Sequence, residues 1–579
     1  PAGFELRSFA GLGAGSTFSR GFLLPMGLDA AEYFRHGSDI YQGIARLRPG
    51  VTRARAEEEA TTLIRSDPRA SSAQARVRDL TEMWTGAYRR PLGLVLGAAL
   101  VLLLIACGNV ATLLLGEAPG RQGEMATRRA LGAGGGRLGR QLLTECLLLG
   151  AAGSVLGLVF ALLGSGFLTR LAPPIPRLDG VELNGWVLLF SVAAGIITSL
   201  AFGSVPVFFM AKDRVGVSWS RGIRVAGRRS AFFHRAVVSG EIALTVLLLV
   251  GGGLLARTLF TLLDVDTGFR QEGSVEARVF LPTYLTENPD RRPLLYREMV
   301  DALEAVPGVV SVSATSSLPF SGSMSNRVIR IFRPTGEENG MAQSRTAYAG
   351  FFRTMGIPVL RGREFTEADR EDAPRVAVIS HLMAQRYWPG EDPIGASFTP
   401  WPDTFTVVGV VGDVRHSSLR AGALPTFYLA GAQRGAPSAL SLVVRTARDP
   451  EPLLPLIRDA IRRVHPRAPV TRLEPVRSLV SESARDDRFR AVLFTVFSLV
   501  GTLLAAGGVF GVTARGVESR KGEMGVRMAL GAEDGHLIRI ALLPGLVAGF
   551  IGLLVGLALA LGASRLLASF LFGVETWDP

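Results

Sequence analysis

The chain has 579 residues, 48% of them hydrophobic, with 68 glycines and a mean hydropathy of +0.30. Apolar content this high, gathered into runs, excludes one large soluble core and marks a membrane protein. The net charge of +13 would suit nucleic acid, but the basic residues cluster beside the apolar runs, which is the membrane pattern and leaves no nucleic-acid partner. The two cysteines, Cys107 and Cys146, lie in or at apolar segments, which excludes a disulfide framework.

In chain order, residues 1–91 read as the end of a first outer domain, because the outline of 41–66 resembles that of 440–464. Six stretches then reach the roughly 20 apolar residues that a bilayer requires: 92–115, 142–168, 186–210, 236–260, 489–513 and 540–565. Three connections are rich in arginine. Loop 116–141 carries Arg121, Arg128, Arg129, Arg137 and Arg140, loop 211–235 sets seven basic residues against Asp213, and loop 514–539 carries Arg515, Arg520, Lys521, Arg527 and Arg539. The positive-inside rule places all three in the cytoplasm. Alternation then puts 1–91, 169–185 and 261–488 outside.

The most informative feature is a repeat inside these loops. RQGEMATRRALGA at 121–133 returns as RKGEMGVRMALGA at 520–532, with nine of thirteen positions identical at a constant offset of 399. The retained positions include Gly123, Glu124, Met125, Arg128, Ala130, Leu131 and Gly132 in the first copy. Their counterparts are Gly522, Glu523, Met524, Arg527, Ala529, Leu530 and Gly531. Basic residues beside a bilayer serve as interfacial anchors, but that role does not require Gly, Glu, Met and Ala-Leu-Gly-Ala in both copies. A charged loop presented twice points to a docking surface for a doubled partner. Each copy has few helix breakers between its glycines and is expected to form a short surface helix. In the first copy, Met125, Ala130 and Leu131 would face a partner while Glu124 and Arg128, four apart, pair on the solvent side.

The repeat continues into the following span, where Gly150, Gly153 and Gly157 correspond to Gly549, Gly552 and Gly556. Small residues at this spacing let helix backbones approach closely, so these are expected as helix-packing positions. Two acids lie at or in spans, Glu145 and Glu241. Intramembrane acids default to functional hypotheses, although Glu145 is near enough to a span end to reach water and its offset partner is Pro544.

Residues 261–488 are long enough for one or two outer domains. Strand-like 275–280, amphipathic 292–305 and VVSVSA form one strand–helix–strand set. LSLVVRT (440–446), helix 451–464 and VTRLEP form another, with an insertion at about 345–435 between them. HExxH, GxSxG, a phosphate loop and a Cys/His cluster at metal spacing are all missing from the sequence, so no catalytic, cofactor-binding or metal-binding residues are assigned. His381 and His416 are isolated and read as exposed or capping side chains.

The GEMATRRALGA and GEMGVRMALGA segments, each followed by a Gly-rich span, resemble the coupling segment of MacB/FtsX-type ABC transporter permeases. The outer stretches FFRTMGIPVLRGREFTEADREDAPRVAVIS, RYWPGEDPIGASF and TVVGVVGDVRHSSL resemble the periplasmic domain of that group, and the duplication resembles its acidobacterial duplicated orphan form. The resemblance implies an internally duplicated, polytopic α-helical membrane protein of the bacterial inner membrane, with a large α+β extracytoplasmic domain of porter and Sabre type. It implies the end of a first periplasmic domain at 1–91, a first transmembrane unit at 92–210, a cytoplasmic linker at 211–235 and the first helix of a second unit at 236–260. A second periplasmic domain at 261–488 and a second transmembrane unit at 489–579 follow. Four helices per unit are expected, so the sequence reads as a piece of a longer chain. Separate cytoplasmic ATPase subunits, two of them, would hold ATP and Mg and dock on 121–133 and 520–532. A periplasmic or outer-membrane protein would be a further partner. The expected task is coupling ATP hydrolysis to periplasmic domain motion for efflux or export. The alternative is a signalling module that activates a periplasmic partner without moving a solute.

Overall fold

The computed structural model describes residues 46–66, 74–130, 135–172, 185–212, 222–280, 292–322, 325–333, 336–400, 402–433, 439–518 and 521–574. They form two compact units, one of residues up to 84 with 262–484, the other of 85–261 with 485–579. The first helix among the described residues is α1 (Arg53–Arg65), capped by the Thr52 hydroxyl, which accepts from the Arg55 amide. Helices α2 (Leu80–Ala130), α3 (Gly135–Leu171), α4 (Gly185–Lys212) and α5 (Gly222–Leu263) follow. After the outer strands, α11 (Arg485–Glu518), α12 (Lys521–Ala529) and α13 (Asp534–Leu567) complete the helical unit.

Among the described residues, five segments are long and apolar enough to cross a membrane: Tyr88–Leu113, Leu143–Thr169, Phe232–Leu263, Arg485–Glu518 and Asp534–Phe570. Each covers an expected span to within about two residues. The sixth expected span, 186–210, lies in α4, whose side chains are described only as far as Leu200, an apolar stretch shorter than a span. One expectation needs correcting. Residues 116–130 do not form a loop carrying a separate short helix, because α2 runs unbroken from its apolar part to Ala130. Extending a helix avoids the cost of nucleating a new one, and Glu, Met, Ala and Arg are good helix formers. Pro119 and Gly120 are carried within α2 without ending it.

Helices α2, α5 and α11 of the helical unit share a small apolar core, and hydrogen bonds tie them and α13 together. That core contains Ala98 and Ile105, Leu248 and Leu255, and Ala491 and Phe494. Side-chain hydroxyls and an amide cross between helices. Ser239 donates to the Ala548 carbonyl (2.8 Å), Ser498 to the Leu248 carbonyl (2.7 Å) and the Asn109 amide to the Leu504 carbonyl (2.8 Å). In hydrocarbon such bonds contribute about 0.6–2 kcal/mol each, since a polar group has little else to meet.

The outer unit is one eleven-stranded sheet in two parts. In chain order its elements are β1 (Ser274–Phe280), α6 (Arg292–Glu304), β2 (Val309–Thr315), β3 (Asn326–Arg333), β4 (Gly336–Ala347), α7 (Phe351–Met355), β5 (Val359–Gly362), β6 (Val376–Ser380) and α8 (His381–Tyr387). They continue with β7 (Ser397–Thr399), β8 (Phe405–Val411), β9 (Thr426–Ala430), β10 (Ala439–Thr446), α9 (Leu454–Val464), β11 (Val470–Pro475) and α10 (Val476–Ser483). The first part has strand order β11-β1-β10-β2, all antiparallel. It consists of two β-α-β sets that interleave, the split arrangement in which each helix crosses over to a strand two places away. Both expected strand–helix–strand sets are present. Val275, Ala277, Val279, Leu440, Leu442 and Val444 alternate onto the face covered by Met299 and Leu303 of α6 and Ile457 and Ile461 of α9. Glu276 and Ser441 point the other way. The Ser441 hydroxyl donates to the Glu276 carboxylate (2.7 Å); burial pushes that carboxyl's pKa up, opposed by Ser441 and Arg472.

The second part closes on itself. β4 pairs β3, β3 pairs β7, β7 pairs β8, β8 pairs β6, β6 pairs β9, and β9 returns to β4 in a parallel ladder from Gln343↔Thr426 to Ala347↔Ala430. These six strands make a small barrel filled by Ile329, Ile331, Ile379, Phe398, Phe405 and Phe427. Closure removes the exposed edges that an isolated sheet would present. The inserted part therefore starts at β3, near residue 326, well before the expected 345. His416 also departs from expectation. It is buried, with the Tyr428 hydroxyl 3.2 Å from its Nε2, and burial together with Arg345 lowers its pKa. His381 opens α8 and meets Gln385 at 2.9 Å.

Candidate functional site

The second copy of the repeat exposes both charged and apolar side chains. In α12, Arg527 donates to Glu523 one helical turn back at 2.6 Å, and Lys521 lies 3.2 Å from Glu518. The exposed i,i+4 pair contributes only about 0.3–0.5 kcal/mol to the helix. Apolar side chains on α12 and just after it are exposed: Val526 61%, Met528 56% and Leu530 81%. Met524 is half-buried. Among the described residues no core claims these side chains, so α12 gains little stability from them.

The helix ends on a specific stop. Gly531 has φ +87, its amide donates to the Met528 carbonyl (3.0 Å) and the Ala532 amide to the Arg527 carbonyl (3.0 Å). This is the paired closure of a Schellman motif, which needs a residue in the left-handed region. The glycine of the repeated Ala-Leu-Gly-Ala therefore has a structural task in the second copy. In the first copy, Gly123, Glu124, Met125, Arg128 and Ala130 lie on the last two turns of α2, and Leu131 and Gly132 lie outside the described residues.

The repeated glycines divide. A Cβ on Gly552 would stand 2.5 Å from the Ser239 carbonyl oxygen and 2.9 Å from Ile242 Cβ; one on Gly556 would stand 2.7 Å from Val246 Cβ and 2.8 Å from the Ala243 carbonyl oxygen. Gly549 is in ordinary contact with Ile242. In the first copy, Gly150 presses on Ser199 and Gly195 of α4, whereas Gly153 and Gly157 have nothing within 4 Å.

Glu241 of α5 is 3% exposed, and neither carboxylate oxygen has a hydrogen-bond partner among the described residues. Two glycines make room for it. A Cβ on Gly108 of α2 would stand 2.6 Å from Oε1, and one on Gly508 of α11 2.5 Å from Oε2. Gly508 also abuts the Asn109 side chain, and 508 is the offset-399 counterpart of 109. The two repeat copies thus meet at equivalent positions with Glu241 beside them. The isolated acid was visible in its apolar run; the offset that links Asn109 to Gly508 was also available, but nothing in one dimension brings the pair together. Glu145 sits at the start of its span and accepts from Gln141 at 3.2 Å. Among the described residues, no three His, Cys, Asp or Glu side chains gather as metal ligands.

Comparison with known proteins adds a family context. Residues 236–464 match the MacB-like periplasmic core domain, and 96–214 and 495–576 each fall in a match to the FtsX-like permease C-terminal domain. The paired FtsX matches coincide with the repeat. The chain is 26% identical over 370 residues to the pyoverdine export ATP-binding/permease protein PvdT of Pseudomonas syringae pv. tomato, covering 61% of this chain and 52% of that protein. It is 29% identical over 218 residues to the protein of the same name from Pseudomonas savastanoi pv. phaseolicola, covering 35% and 32%. The chain thus spans about half or less of the length of these relatives. The periplasmic region of MacB from Actinobacillus actinomycetemcomitans aligns in structure at 15% identity and a TM-score of 0.28, over 38% of this chain and 95% of that one.

Proposed function

We infer the task of the chain from its family: it belongs to the MacB/FtsX-type ABC transporter permeases, and we propose that it couples ATP hydrolysis on separate cytoplasmic ATPase subunits to motion of its extracytoplasmic domain for export. It would do so in a bacterial inner membrane. The names of the relatives, which pair export with ATP binding, support that direction. The observation that carries the reading is α12 with its glycine closure, where Val526, Met528 and the following Leu530 are exposed beside a tied Glu523–Arg527 pair. Exposed apolar side chains on a helix between two spans suit burial against a partner. The repeat supplies a second such segment at 121–133, which suits two ATPase subunits.

The test is ATPase stimulation in the assembled, membrane-embedded complex. Leu530→Asp should lower stimulation about tenfold, equivalent to ~1.4 kcal/mol of docking, and Glu523→Ala with Arg527→Ala should lower it by a smaller factor. Thermal stability of the permease should stay put, since these side chains are exposed. Full stimulation from a complex that assembles as wild type would remove the coupling role.

A further inference from the structure

The split β-α-β part carries an open cleft of ≈ 690 Å³ that the proposed coupling role does not use. It lies among the segment leading into β1, the start of β2, the end of α7 and the end of β10. Five arginines line it, Arg270, Arg353, Arg445, Arg448 and Arg477, against two carboxylates, Glu272 and Asp449. The charges are not paired off. Arg477 takes Asp449 (3.9 Å) and Glu451 outside the cleft (2.6 Å). Among the described residues, no carboxylate stands within 4.0 Å of the guanidinium groups of Arg270, Arg353 or Arg445.

Arg445 is the buried member, 9% exposed. Its Nε donates to the Thr354 carbonyl (3.1 Å) and its Nη1 to the Glu272 carbonyl (2.6 Å). Neutral carbonyls therefore fix the head in place and leave its charge unmatched. Burial, and next the like charge of Arg270, lower the pKa of this guanidinium. Gly356, at φ +69, keeps the ground beside both arginines clear: a Cβ there would stand 3.0 Å from Arg270 Cβ and 3.5 Å from Arg445 Nη2. Arg270 and Arg353 are exposed at the mouth. Cationic forks gathered without a counter-charge destabilise the free cleft, and an entering anion relieves that cost. The planar fork matches phosphate oxygens two at a time.

The chain itself brings this cleft near the spans in sequence. Arg270 follows Leu263, the last residue of α5, by seven positions, and Arg477 precedes Arg485, the first of α11, by eight. We propose that Arg270, Arg353 and Arg445 form a binding site for a phosphate group, carried either by a lipid headgroup or by a free solute.

The experiment uses the full chain in neutral detergent, titrated calorimetrically with inorganic phosphate and, separately, with dihexanoyl phosphatidylglycerol. Saturable binding is expected, weakened about tenfold or more in R270Q/R353Q, two exposed changes that leave the melting temperature without probe as high as wild type or higher. R458Q, on exposed α9 outside the cleft, removes the same kind of charge and should bind as wild type. Binding of both probes assigns the site to the phosphate group itself, and binding of the lipid alone assigns it to a headgroup. Failure of both probes to saturate, equal binding by R270Q/R353Q, or equal weakening by R458Q would each overturn the site.

Discussion

Helices α3 and α13 are the same element of the repeat, with glycines at 150, 153 and 157 in one and at 549, 552 and 556 in the other. In α13 two of the three are closed by a neighbour's backbone: Gly552 and Gly556 lie against α5 so tightly that the carbonyls of Ser239 and Ala243 occupy the space of a side chain. In α3 only Gly150 is closed, by α4, and the other two open onto space. One sequence pattern therefore serves two partners, and what differs is which helix lies alongside. The helices differ internally too, since α13 carries Pro544 where α3 carries Glu145.

The largest contrast comes from filling those positions. Gly552→Leu or Gly556→Leu should cost about 3 kcal/mol or more, because backbone carbonyls and Cβ atoms of α5 are among the facing atoms and cannot step aside. Gly153→Leu or Gly157→Leu should stay within about 0.5 kcal/mol, as for an unclaimed surface site. Denaturant titration of the protein in nanodiscs reads both. Equal losses in the two helices would mean that α3 carries a packed face like that of α13, and the contrast would be gone.

A smaller effect is expected where the copies meet. Asn109→Leu removes the 2.8 Å bond to the Leu504 carbonyl and should cost about 1–2 kcal/mol. Gly508→Ala, its offset counterpart, should cost a similar amount, since its new methyl would stand 2.5 Å from Glu241 Oε2 and a carboxylate can turn away where a carbonyl cannot. If Asn109→Leu melts like wild type, the interhelical amide adds nothing and apolar contact alone holds that crossing.

The spans were legible because a run of about 20 apolar residues has few other uses, and the split β-α-β part because period-2 and period-3.6 patterns alternate there. The barrel was not. Its closing ladder joins Gln343–Ala347 to Thr426–Ala430, two short segments some 80 positions apart whose pairing no local pattern specifies. The Arg270, Arg353 and Arg445 cleft was hidden for the same reason, since each arginine alone is one more basic surface residue. The repeat could be read to the residue, but not how it would be used. The helix formers of 121–130 extend α2 to Ala130, and the same kind of sequence at 521–529 is helical as well and closes on a left-handed Gly531.

That left-handed glycine yields the smallest and most local prediction. In α12 the stop depends on Gly531, whose φ of +87 costs an L-residue about 1–2 kcal/mol. Gly531→Ala should therefore fray the last turn and speed amide exchange at Leu530, Gly531 and Ala532 by about tenfold, with the spans unaffected. Gly531→Asn, which tolerates the left-handed region better, should restore most of the protection. If Ala and Asn behave alike, the Schellman closure does not hold the end of α12. The retained glycine would then owe its place to the docking face, and the repeat would be a recognition sequence throughout, not in part a folding signal.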